Sequence, residues 1–484
     1  MRFSVLHLSD LHRGSSCDTQ NEPLIESLRC DADRFAREQP ETPRPSICVV
    51  SGDLVYGVAP SATEEDAQAQ YDQALSFLVA LADALFAGNH ERLVVVPGNH
   101  DVSFPDVRGS AEHVGIPNDP AEKSLLVREL RAGNSHLRWS WQELCFYRIA
   151  DPARYERRLA HFARLYDAFY AGARTFALAP SEQYAVFDYP DLKFTVLGLS
   201  SCYRNDPWRR IGAFHPVALS KALAALREPS RIGMLAAAVW HHCLTGGPEQ
   251  DDYLDMGPLQ TLIDEGVSMC FHGHGHFPEL ADQQLHLGSQ SRGIKIIGAS
   301  TLSSGPADLQ PGVPRSYNVV EVDTSSWTGR IHLRQMTNAD FDLPVWGPGY
   351  FTSAGAACVG FSPSKPLHER PAMLDAHLAL EKADSLLGQR RWADAVDILK
   401  DLRHVPDARP FLTQALGELR DPRRTIEVLW PPLGVADAVL VGGAILEAGT
   451  SAEARDFLSL GRLSASPDAS VREILRRVRE RRWQ

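Results

Sequence analysis

Three short apolar segments near the N-terminus, each followed at once by polar residues, constrain the fold of this chain most strongly. The segments lie at 3–8, 47–50 and 93–96, and stretches with apolar residues near helical spacing separate them at 22–37 and 64–86. Short apolar runs that end in turn residues are typical of strands buried on both faces. The alternation predicts a β-α-β-α-β unit, which forms a mostly parallel sheet and collects ligand-binding residues at the carboxyl ends of its strands.

The chain after this unit is predicted to contain an insertion and then more strands. Over residues 102–178 the strand pattern lapses and aromatic residues recur in a charged stretch with helix-like spacing, so we expect a helical insertion there. The next strands are expected at 184–187, 192–199, 236–240, 267–271, 294–297, 317–322 and 330–335. We expect the last two of them to form an antiparallel pair.

The C-terminal part has a different pattern. Pro and Gly interrupt the strands beyond residue 342, so we expect a linker over 343–370. The remainder, 371–484, carries Ala and Leu at helical spacing without a convincing strand. Its stretch from Ala383 to Ala395 resembles one tetratricopeptide-type repeat, while a plain helical bundle fits the pattern equally well. Both alternatives predict an α-helical domain that binds a protein partner rather than one that catalyses a reaction.

Composition narrows the class of protein. The 484 residues allow about three domains, and the formal net charge of −12 disfavours general attraction to nucleic acid or anionic membranes, although a local basic groove would suffice for nucleic acid. Eight cysteines occur without a C-x-x-C pair, which argues against a zinc ribbon or a dense disulfide framework. Because the N-terminus lacks a signal-peptide pattern and no apolar stretch approaches about 18 residues, we expect a cytoplasmic protein without a membrane span.

Polar clusters at the expected strand ends carry the chemistry. Each cluster alone is a weak signal, because a single histidine near a strand is more often a hydrogen-bonded core residue than a ligand. Gathered at one sheet edge, these carboxylate, imidazole and amide groups suit two divalent metals. The clusters are Asp10-Leu11-His12, Gly52-Asp53, Gly98-Asn99-His100-Asp101, His241-His242 and Gly273-His274-Gly275-His276.

With these motifs in this order, the first 342 residues resemble the calcineurin-like metallophosphoesterase superfamily, whose motifs run D-x-H, G-D, G-N-H-D/E, H and G-H-x-H. All five are present. The resemblance implies an α/β fold, a four-layer α-β-β-α sandwich of two sheets. It also implies a bimetal-dependent phosphoester hydrolase in which a hydroxide shared by the two metals attacks the phosphorus.

The resemblance also assigns the metal ligands. The cofactors implied are two divalent ions, with manganese favoured over iron, zinc or nickel, all of which suit these ligands. His241 is preferred to His242 because the liganding histidine of the family directly ends its strand. One ion would be held by Asp10, His12, Asp53 and His276, and the other by Asp53, Asn99, His241 and His274, so that Asp53 bridges them.

Two further residues are expected to take part in catalysis. In the family, the histidine of the G-N-H motif faces the phosphate and stabilises or protonates the leaving oxygen, which is the role implied for His100. Asp101 would orient His100 and favour its protonated form. The alternative for Asp101 is a structural role as a turn cap after Asn99.

The sequence says less about the identity of the substrate than about the metal ligands. The opening Leu6-His7-Leu8-Ser9-Asp10-Leu11-His12 and the paired histidines look most like the bacterial cyclic-nucleotide phosphodiesterase branch, which favours a nucleotide-like phosphodiester. The long insertion and Cys243-Leu244, where that branch usually has prolines, depart from it. Residues expected to contact substrate are Arg13, His242 and Arg204, with solvated surface as the alternative for the arginines.

Two other functions stay open at this stage. A metal-dependent DNA or RNA nuclease would use the same motifs and would show strong salt dependence. A scaffold protein would use the helical domain and keep a gated or vestigial phosphoesterase site. The complete set of ligand types favours an enzyme.

Overall fold

The computed structural model describes residues 1–14, 19–59, 61–130, 135–244, 252–254, 257–287, 290–351, 354–364, 374–405, 408–464, 466, 468–481 and 483. The chain divides into two compact units, Met1–Arg370 and Pro371–Gln484. Among the helices within these ranges, none combines the length and the apolar character that a membrane span requires.

Sixteen strands are found in the described residues, all of them in the first unit. They are β1 (Arg2–Leu8), β2 (Pro45–Val50), β3 (Leu93–Val95), β4 (Ala111–Val114), β5 (Leu137–Ser140), β6 (Cys145–Ile149), β7 (Tyr184–Tyr189), β8 (Phe194–Leu199), β9 (Leu235–Val239), β10 (Val267–His272), β11 (Glu279–Leu287), β12 (Gln290–Gly298), β13 (Ser316–Asp323), β14 (Thr328–Met336), β15 (Trp346–Pro348) and β16 (Cys358–Phe361).

The helices occupy both units. Those of the first unit are α1 (Asn21–Glu38), α2 (Glu64–Phe86), α3 (Phe104–Gly109), α4 (Pro120–Leu130), α5 (Pro152–Glu156), α6 (Ala160–Phe169), α7 (Pro216–Leu226) and α8 (Gly257–Asp264). Those of the second are α9 (Leu374–Gly388), α10 (Trp392–Leu399), α11 (Ala408–Leu419), α12 (Pro422–Leu429), α13 (Val435–Ala448), α14 (Ser451–Ser459), α15 (Gly461–Ser464) and α16 (Ala469–Glu480).

Two large sheets form the centre of the first unit. The first has the order β15-β14-β13-β1-β2-β3 with β16 also paired to β14, and the second has the order β11-β12-β10-β9-β8-β7. Strands β1, β2 and β3 are parallel, as are β8, β9, β10 and β12, so their carboxyl ends meet at common edges. The predicted antiparallel pair is confirmed as β13 and β14.

The alternation of side chains along β8 shows how the layers stack. Phe194 and Val196 lie in the core that also contains Val5 and Val49 of the first sheet. Leu197 and Leu199 point the other way, into the core that contains the buried faces of α7 and α8. With α1 and α2 on the first sheet, this arrangement confirms the predicted α-β-β-α sandwich.

Helix α2 illustrates how the sequence sets these layers. It begins at a capping box, in which the Thr63 side chain accepts from the Asp66 backbone N–H and the Asp66 carboxylate accepts from the Thr63 N–H. Phe77, Leu78 and Leu81 on one face are fully buried. Burial of each such side chain stabilises the fold by about 1.5–3 kcal/mol, which fixes the helix on the sheet.

The insertion at 102–178 differs in part from the prediction. It contains α3, α4, α5 and α6, as expected, but it also contains a three-stranded antiparallel sheet in the order β4-β6-β5. Trp139 and Phe146 face each other across β5 and β6, with ring centroids 4.6 Å apart. The aromatic residues over 139–146 therefore belong to a hairpin, whose cross-strand pairs place aromatic residues at short intervals, whereas Tyr155, Phe162 and Tyr166 lie in helices as expected.

The predicted linker also differs from the structure. Strands β15 and β16 extend the first sheet within 343–370, so this stretch is not a plain connection. Trp346 of β15 is buried and its indole N–H donates to Ser27 Oγ on α1. The end of the predicted linker and the start of the helical part, 365–373, lie outside the described residues.

The described residues of the second unit form helices joined by short loops, without a strand. Helices that follow one another pack together, α9 with α10, α10 with α11 and α12 with α13, and α16 closes against α13. Ala383, Ala395 and Leu399 are fully buried, as their helical spacing predicts. The C-terminal helical region expected from the sequence is confirmed.

Candidate metal centre

The residues of the five motifs meet in the turns that follow five strands. Asp10 and His12 follow β1, Asp53 follows β2 and Asn99 follows β3, all in the first sheet. The second sheet contributes His241 after β9, and His274 and His276 after β10. The site therefore lies where the carboxyl ends of both sheets face each other.

Most of these turns hold the side chains in an unusual backbone conformation. Five of the seven predicted ligands have a positive φ, a region that costs roughly 1–3 kcal/mol for a residue with a side chain and that clusters at functional sites. The five are Asp10 (52°), His12 (45°), Asp53 (52°), His274 (70°) and His276 (54°).

The glycines of the motifs allow the turns to approach each other closely. A Cβ atom at Gly98 would lie 2.1 Å from Asp53 Oδ1, and one at Gly273 would lie 2.4 Å from Asp10 Oδ2. Both distances are shorter than any real contact, so a side chain at either position would displace a ligand. The G-N-H-D and G-H-x-H motifs need glycine for this packing.

One group of ligand atoms surrounds Asn99. The Oδ1 atom of Asn99 lies 2.9 Å from His241 Nε2 and 2.8 Å from His274 Nδ1, and Asp53 Oδ2 lies 3.1 Å from the same His241 atom. These are the four residues predicted for one of the two metal positions.

A second group surrounds Asp10. Its Oδ1 atom lies 3.1 Å from His276 Nε2 and 3.7 Å from His12 Nε2, and the two imidazole atoms are 3.2 Å apart. Asp53 Oδ2 lies 3.8 Å from His12 Nε2. Asp53 thus stands between the two groups, as a bridging carboxylate would.

Hydrogen-bond partners behind the site fix the orientation of two imidazoles. His241 Nδ1 lies 2.8 Å from the Ser51 carbonyl oxygen, and His276 Nδ1 lies 2.8 Å from the Asp308 carbonyl oxygen. The N–H of each Nδ1 donates to that carbonyl, so the lone pair of Nε2 faces the centre. At His274 the nearest group on that side is the Asp252 carboxylate, whose Oδ2 atom lies 3.8 Å from Nε2, an ion-pair distance rather than a hydrogen bond.

With these orientations, hydrogen-bond acceptors face each other at the centre and require a positive charge between them. The lone pair of His241 Nε2 faces an Asn99 oxygen, and that of His276 faces an Asp10 oxygen, so two acceptors meet in each case unless a cation or proton lies between them. Ligand atoms about 2.0–2.2 Å from one cation lie roughly 3 Å from each other, as these do. The residues present therefore fit divalent metals.

The pKa values of the ligands also indicate that the site favours positive charge. Burial lowers the pKa of His241 and His276, but the facing Asp53 and Asp10 carboxylates outweigh it and raise both to about 9. Burial would raise the pKa of Asp10 and Asp53, yet the surrounding histidines hold both well below the usual range. The carboxylates are thus ionised and ready to bind cations.

His100 lies at the mouth of the site. Its backbone N–H donates to Asp53 Oδ1 (2.8 Å), its Nδ1 donates to the Tyr56 carbonyl (2.6 Å), and its Nε2 lies 4.0 Å from Asp53 Oδ2. The side chain is 37% exposed, so a substrate can reach it. This placement suits the predicted contact with a leaving group.

Asp101 does not orient His100, so that prediction is wrong. Its Oδ2 atom accepts from the backbone N–H groups of Gly98 (2.8 Å) and Leu54 (3.3 Å), and the residue is buried. Burial, and then the Asp53 charge, raise the pKa of Asp101 to about 7. It caps the turn, which is the alternative that the sequence left open, and a carbonyl takes the orienting role.

His242 does not face the substrate either. It is fully buried, with Nδ1 2.8 Å from Ser201 Oγ and Nε2 3.0 Å from Asn205 Nδ2. Because Asn205 donates to Nε2, the network assigns the proton to Nδ1, which donates to Ser201. Burial holds the pKa of His242 well below its usual range, so the ring is neutral and supports the turn.

The two arginines differ. Arg13 is 2% exposed, donates to Ser303 Oγ and to the Thr19 carbonyl, and lies over the Phe77 ring, so it supports the fold instead of binding substrate. Arg204 is half-buried with its guanidinium 4.8 Å from the Tyr203 ring centroid. Its contact with substrate stays a prediction.

Four supporting residues had no local signal in the sequence: Tyr56, Asp252, Asp308 and Ser201. Tyr56 and Asp308 act through backbone carbonyls, which every residue has, so no residue type marks them. Ser201 Oγ accepts from the backbone N–H groups of His241 and His242, which fixes the turn after β9.

The comparison with protein families identifies the class. The model of the calcineurin-like phosphoesterase family matches residues 3–278, more than half of the chain. The chain therefore belongs to the calcineurin-like phosphoesterase family, and the resemblance of its motifs is confirmed. Membership supports metal-dependent hydrolysis of phosphoesters at a dinuclear site, and the described residues provide candidate ligand clusters, among them Asp10, His12 and His276.

Solved structures resemble the chain only distantly. The protein TT1561 of Thermus thermophilus matches at 11% identity and a TM-score of 0.31, covering 67% of this chain and 96% of that one. A conserved uncharacterized protein from Streptococcus pneumoniae TIGR4, a predicted phosphoesterase, matches at 10% identity and a TM-score of 0.25, covering 75% and 98%.

A double mutant of Vps29 from Entamoeba histolytica matches at 11% identity and a TM-score of 0.25, covering 74% of this chain and all of that one. No curated protein matches the sequence.

Proposed function

We propose that this protein is a bimetal-dependent phosphodiesterase acting on a nucleotide-like or related phosphodiester. The observation that carries the proposal is the pair of ligand groups joined by Asp53 Oδ2, which lies 3.1 Å from His241 Nε2 and 3.8 Å from His12 Nε2. A carboxylate shared by two cations neutralises their repulsion and holds both close to one phosphate.

The two metals, when bound, would polarise the phosphoryl oxygens and lower the pKa of a coordinated water. The protein residues do the rest. Asp53 is held by the His100 backbone N–H through Oδ1, which leaves Oδ2 free for the centre. The His100 side chain is anchored on the Tyr56 carbonyl through Nδ1 and places Nε2 4.0 Å from Asp53 Oδ2 at the exposed mouth of the site, within reach of the departing oxygen.

The finer features of the proposal rest on the sequence. The opening motif and the paired histidines favour a diester over a monoester. Manganese is the favoured ion because oxygen and nitrogen ligands of this kind accommodate it, together with iron, zinc and nickel. We further propose a cytoplasmic location and a protein partner for the helical unit, whose consecutive packed helices are compatible with a tetratricopeptide-like array.

The test is hydrolysis of a matched pair of substrates by metal-stripped, manganese-reconstituted protein. Bis(p-nitrophenyl) phosphate reports diesterase activity, and p-nitrophenyl phosphate reports monoesterase activity. Asp53→Asn should lower diester hydrolysis by roughly 10³-fold, because several kcal/mol of charge stabilisation depend on the ions it bridges. Asp191→Asn, the same change at a 53% exposed carboxylate, is the control.

Each outcome decides between functions. Preferential cleavage of the diester that requires Asp53 supports the proposal, and preference for the monoester redirects it to a phosphatase. Diester cleavage limited to oligonucleotides, with strong salt dependence, would indicate the nuclease. Two equivalents of bound metal without turnover of any phosphoester would indicate the scaffold.

A further inference from the structure

An open groove of about 1100 Å³ lies beside the turn after β10 that carries the ligand His276, and none of the predicted metal ligands is among its described lining residues. Small-molecule sites typically enclose about 300–1,000 Å³, so the groove has room for a sizeable substituent. Its walls come from the turn after β10, the segment 306–314, strands β13 and β14, and the stretch that leads to β15.

The groove is continuous with the ligand turn. Phe277, which lines it, directly follows the ligand His276, and its ring packs so closely on Gly275 that a Cβ there would lie 2.7 Å from Cε1. On the opposite wall, Gln310 Nε2 donates to the Gly275 carbonyl (3.0 Å). The carbonyl of Asp308, next to the groove residue Leu309, anchors His276.

The walls combine a majority of apolar residues with some uncharged polar side chains. Most of the residues that line the groove are proline, aliphatic or aromatic, and among the described residues of its lining no side chain carries a charge. A polyanion would find no cation there to balance its phosphates. A single phosphate at the metals with an apolar ester group in the groove matches both regions.

The floor adds one polar feature. Ser316, in β13, is 1% exposed and lines the groove, and its hydroxyl has no hydrogen-bond partner among the described residues. A buried hydroxyl without a partner is costly, and a ligand atom can satisfy it. This is a second sign, independent of wall composition, that the groove takes a ligand.

We infer that the groove binds an apolar ester substituent, alkyl or aryl, of the phosphodiester whose phosphate lies at the metal centre. The inference rests on the proposed function and names its substrate class. The substituent in the groove is the ester group that is retained during hydrolysis, while the leaving group lies on the His100 side.

The kinetic test uses p-nitrophenyl phosphodiesters that share one leaving group and one charge and differ only in the second ester, methyl or octyl. Each buried methylene contributes about fourfold in binding, so partial burial of the chain should raise kcat/KM at least tenfold from methyl to octyl. In Val313→Asp and, separately, Tyr350→Asp, the octyl-to-methyl ratio should fall below threefold. Leu343→Asp, at a 61% exposed position outside the lining, should keep the wild-type ratio.

A binding measurement gives a readout apart from turnover. Calorimetry on the metal-free protein should show tighter binding of octyl methyl phosphate than of dimethyl phosphate, with a negative heat-capacity change. Val313→Asp should abolish this difference. If the protein binds the octyl ester but hydrolyses no ester, the inference about the groove holds and the proposed function is wrong.

Two results would overturn the inference. One is an octyl-to-methyl ratio near one in the wild-type protein, or a high ratio that Val313→Asp and Tyr350→Asp leave unchanged. The other is a p-nitrophenyl ester of thymidine 5′-phosphate that exceeds the octyl ester in kcat/KM and loses this advantage in Val313→Asp, because the groove would then recognise a base.

Discussion

At the metal centre, atoms that accept hydrogen bonds face each other and need a proton or a cation between them: His241 Nε2 and Asn99 Oδ1 are 2.9 Å apart, and His276 Nε2 and Asp10 Oδ1 are 3.1 Å apart. Behind it, where the loop over 200–215 meets the insertion, donors face acceptors. Both regions bury polar groups in the same unit. They differ in whether the buried groups satisfy one another.

The second region is a closed network. Arg138 Nε donates to Asp206 Oδ2 (2.7 Å), Tyr155 Oη donates to the same oxygen (2.8 Å), and Asp206 Oδ1 accepts from the Trp208 and Arg209 backbone N–H groups. A network that is satisfied in this way holds a loop in one arrangement. It cannot bind anything further without losing a bond.

The contrast distinguishes residues that can bind a ligand from residues that support the fold. Residues that face each other with like polarity are available for a ligand, whereas residues in saturated pairs are not. His241 and His242 illustrate this: they are adjacent in sequence and both fully buried, yet one faces the metal centre and the other uses both ring nitrogens on Ser201 and Asn205.

The largest effect, on the stability of the fold, is expected from removing one member of the hydrogen-bonded network around Asp206. Arg138→Met leaves the Asp206 carboxylate buried without its cation, which should destabilise the fold by about 3–5 kcal/mol. The measurement is urea unfolding followed by circular dichroism. Arg138→Met combined with Asp206→Asn should recover part of the loss, because the unpaired charge is gone. A single variant as stable as the wild type would remove the distinction between the two regions.

The next effect concerns His242, which joins the turn of the metal ligand His241 to the loop over 200–215. His242→Phe keeps a ring of similar size but removes the bonds to Ser201 and Asn205, so the His241 turn loses its support. Affinity for Mn²⁺, measured by calorimetry, should fall about 10- to 100-fold, as for other residues that orient metal ligands. An unchanged affinity would show that the turn is rigid without the loop.

The smallest effect is a pH dependence in the supporting loop. His215 begins α7, accepting from the Val217 N–H through Nδ1, and burial followed by the charges of Arg204 and Lys221 lowers its pKa to about 4. As pH falls below about 6.5, the unfolded chain therefore gains a proton before the folded protein, so stability present above this pH is lost toward pH 4.

Replacing this residue should flatten that dependence. His215→Asn keeps an acceptor for the helix but does not titrate, so the loss of unfolding free energy from pH 7 to pH 5 should shrink by about 2 kcal/mol. His113→Asn, at an exposed position, is the control and should leave the loss unchanged. An equal loss in wild type and His215→Asn would mean that His215 is not shielded from solvent.

The sequence predicts the sheets and the ligand positions because both follow from local rules. A short apolar run that ends in Asp10 or Asp53 shows at once where a strand stops and which polar group stands at its end. The order of the motifs then relates these ends to a known arrangement. The structure accordingly brings all seven predicted ligands together.

Long-range contacts account for the predictions that are wrong. Arg13 adjoins the first motif and looks like a substrate contact, but Ser303, 290 residues later, covers it. Asp101 accepts from Leu54 in a different turn. The hairpin of β5 and β6 has the residue spacing of a helix, and only pairing across the strands reveals it.

The ligands of the metal centre are synthesised at widely different times, because they are far apart in the sequence. The contact between His12 and His276 joins residues 264 positions apart, and β1 pairs with β13 as far as Asp323. At about 5–20 residues per second, roughly 13–53 s separate the emergence of the two histidines from the ribosome. The first motif therefore precedes its partner by that interval, and the nascent chain carries an incomplete set of metal ligands until the strands that contribute His241, His274 and His276 have been made.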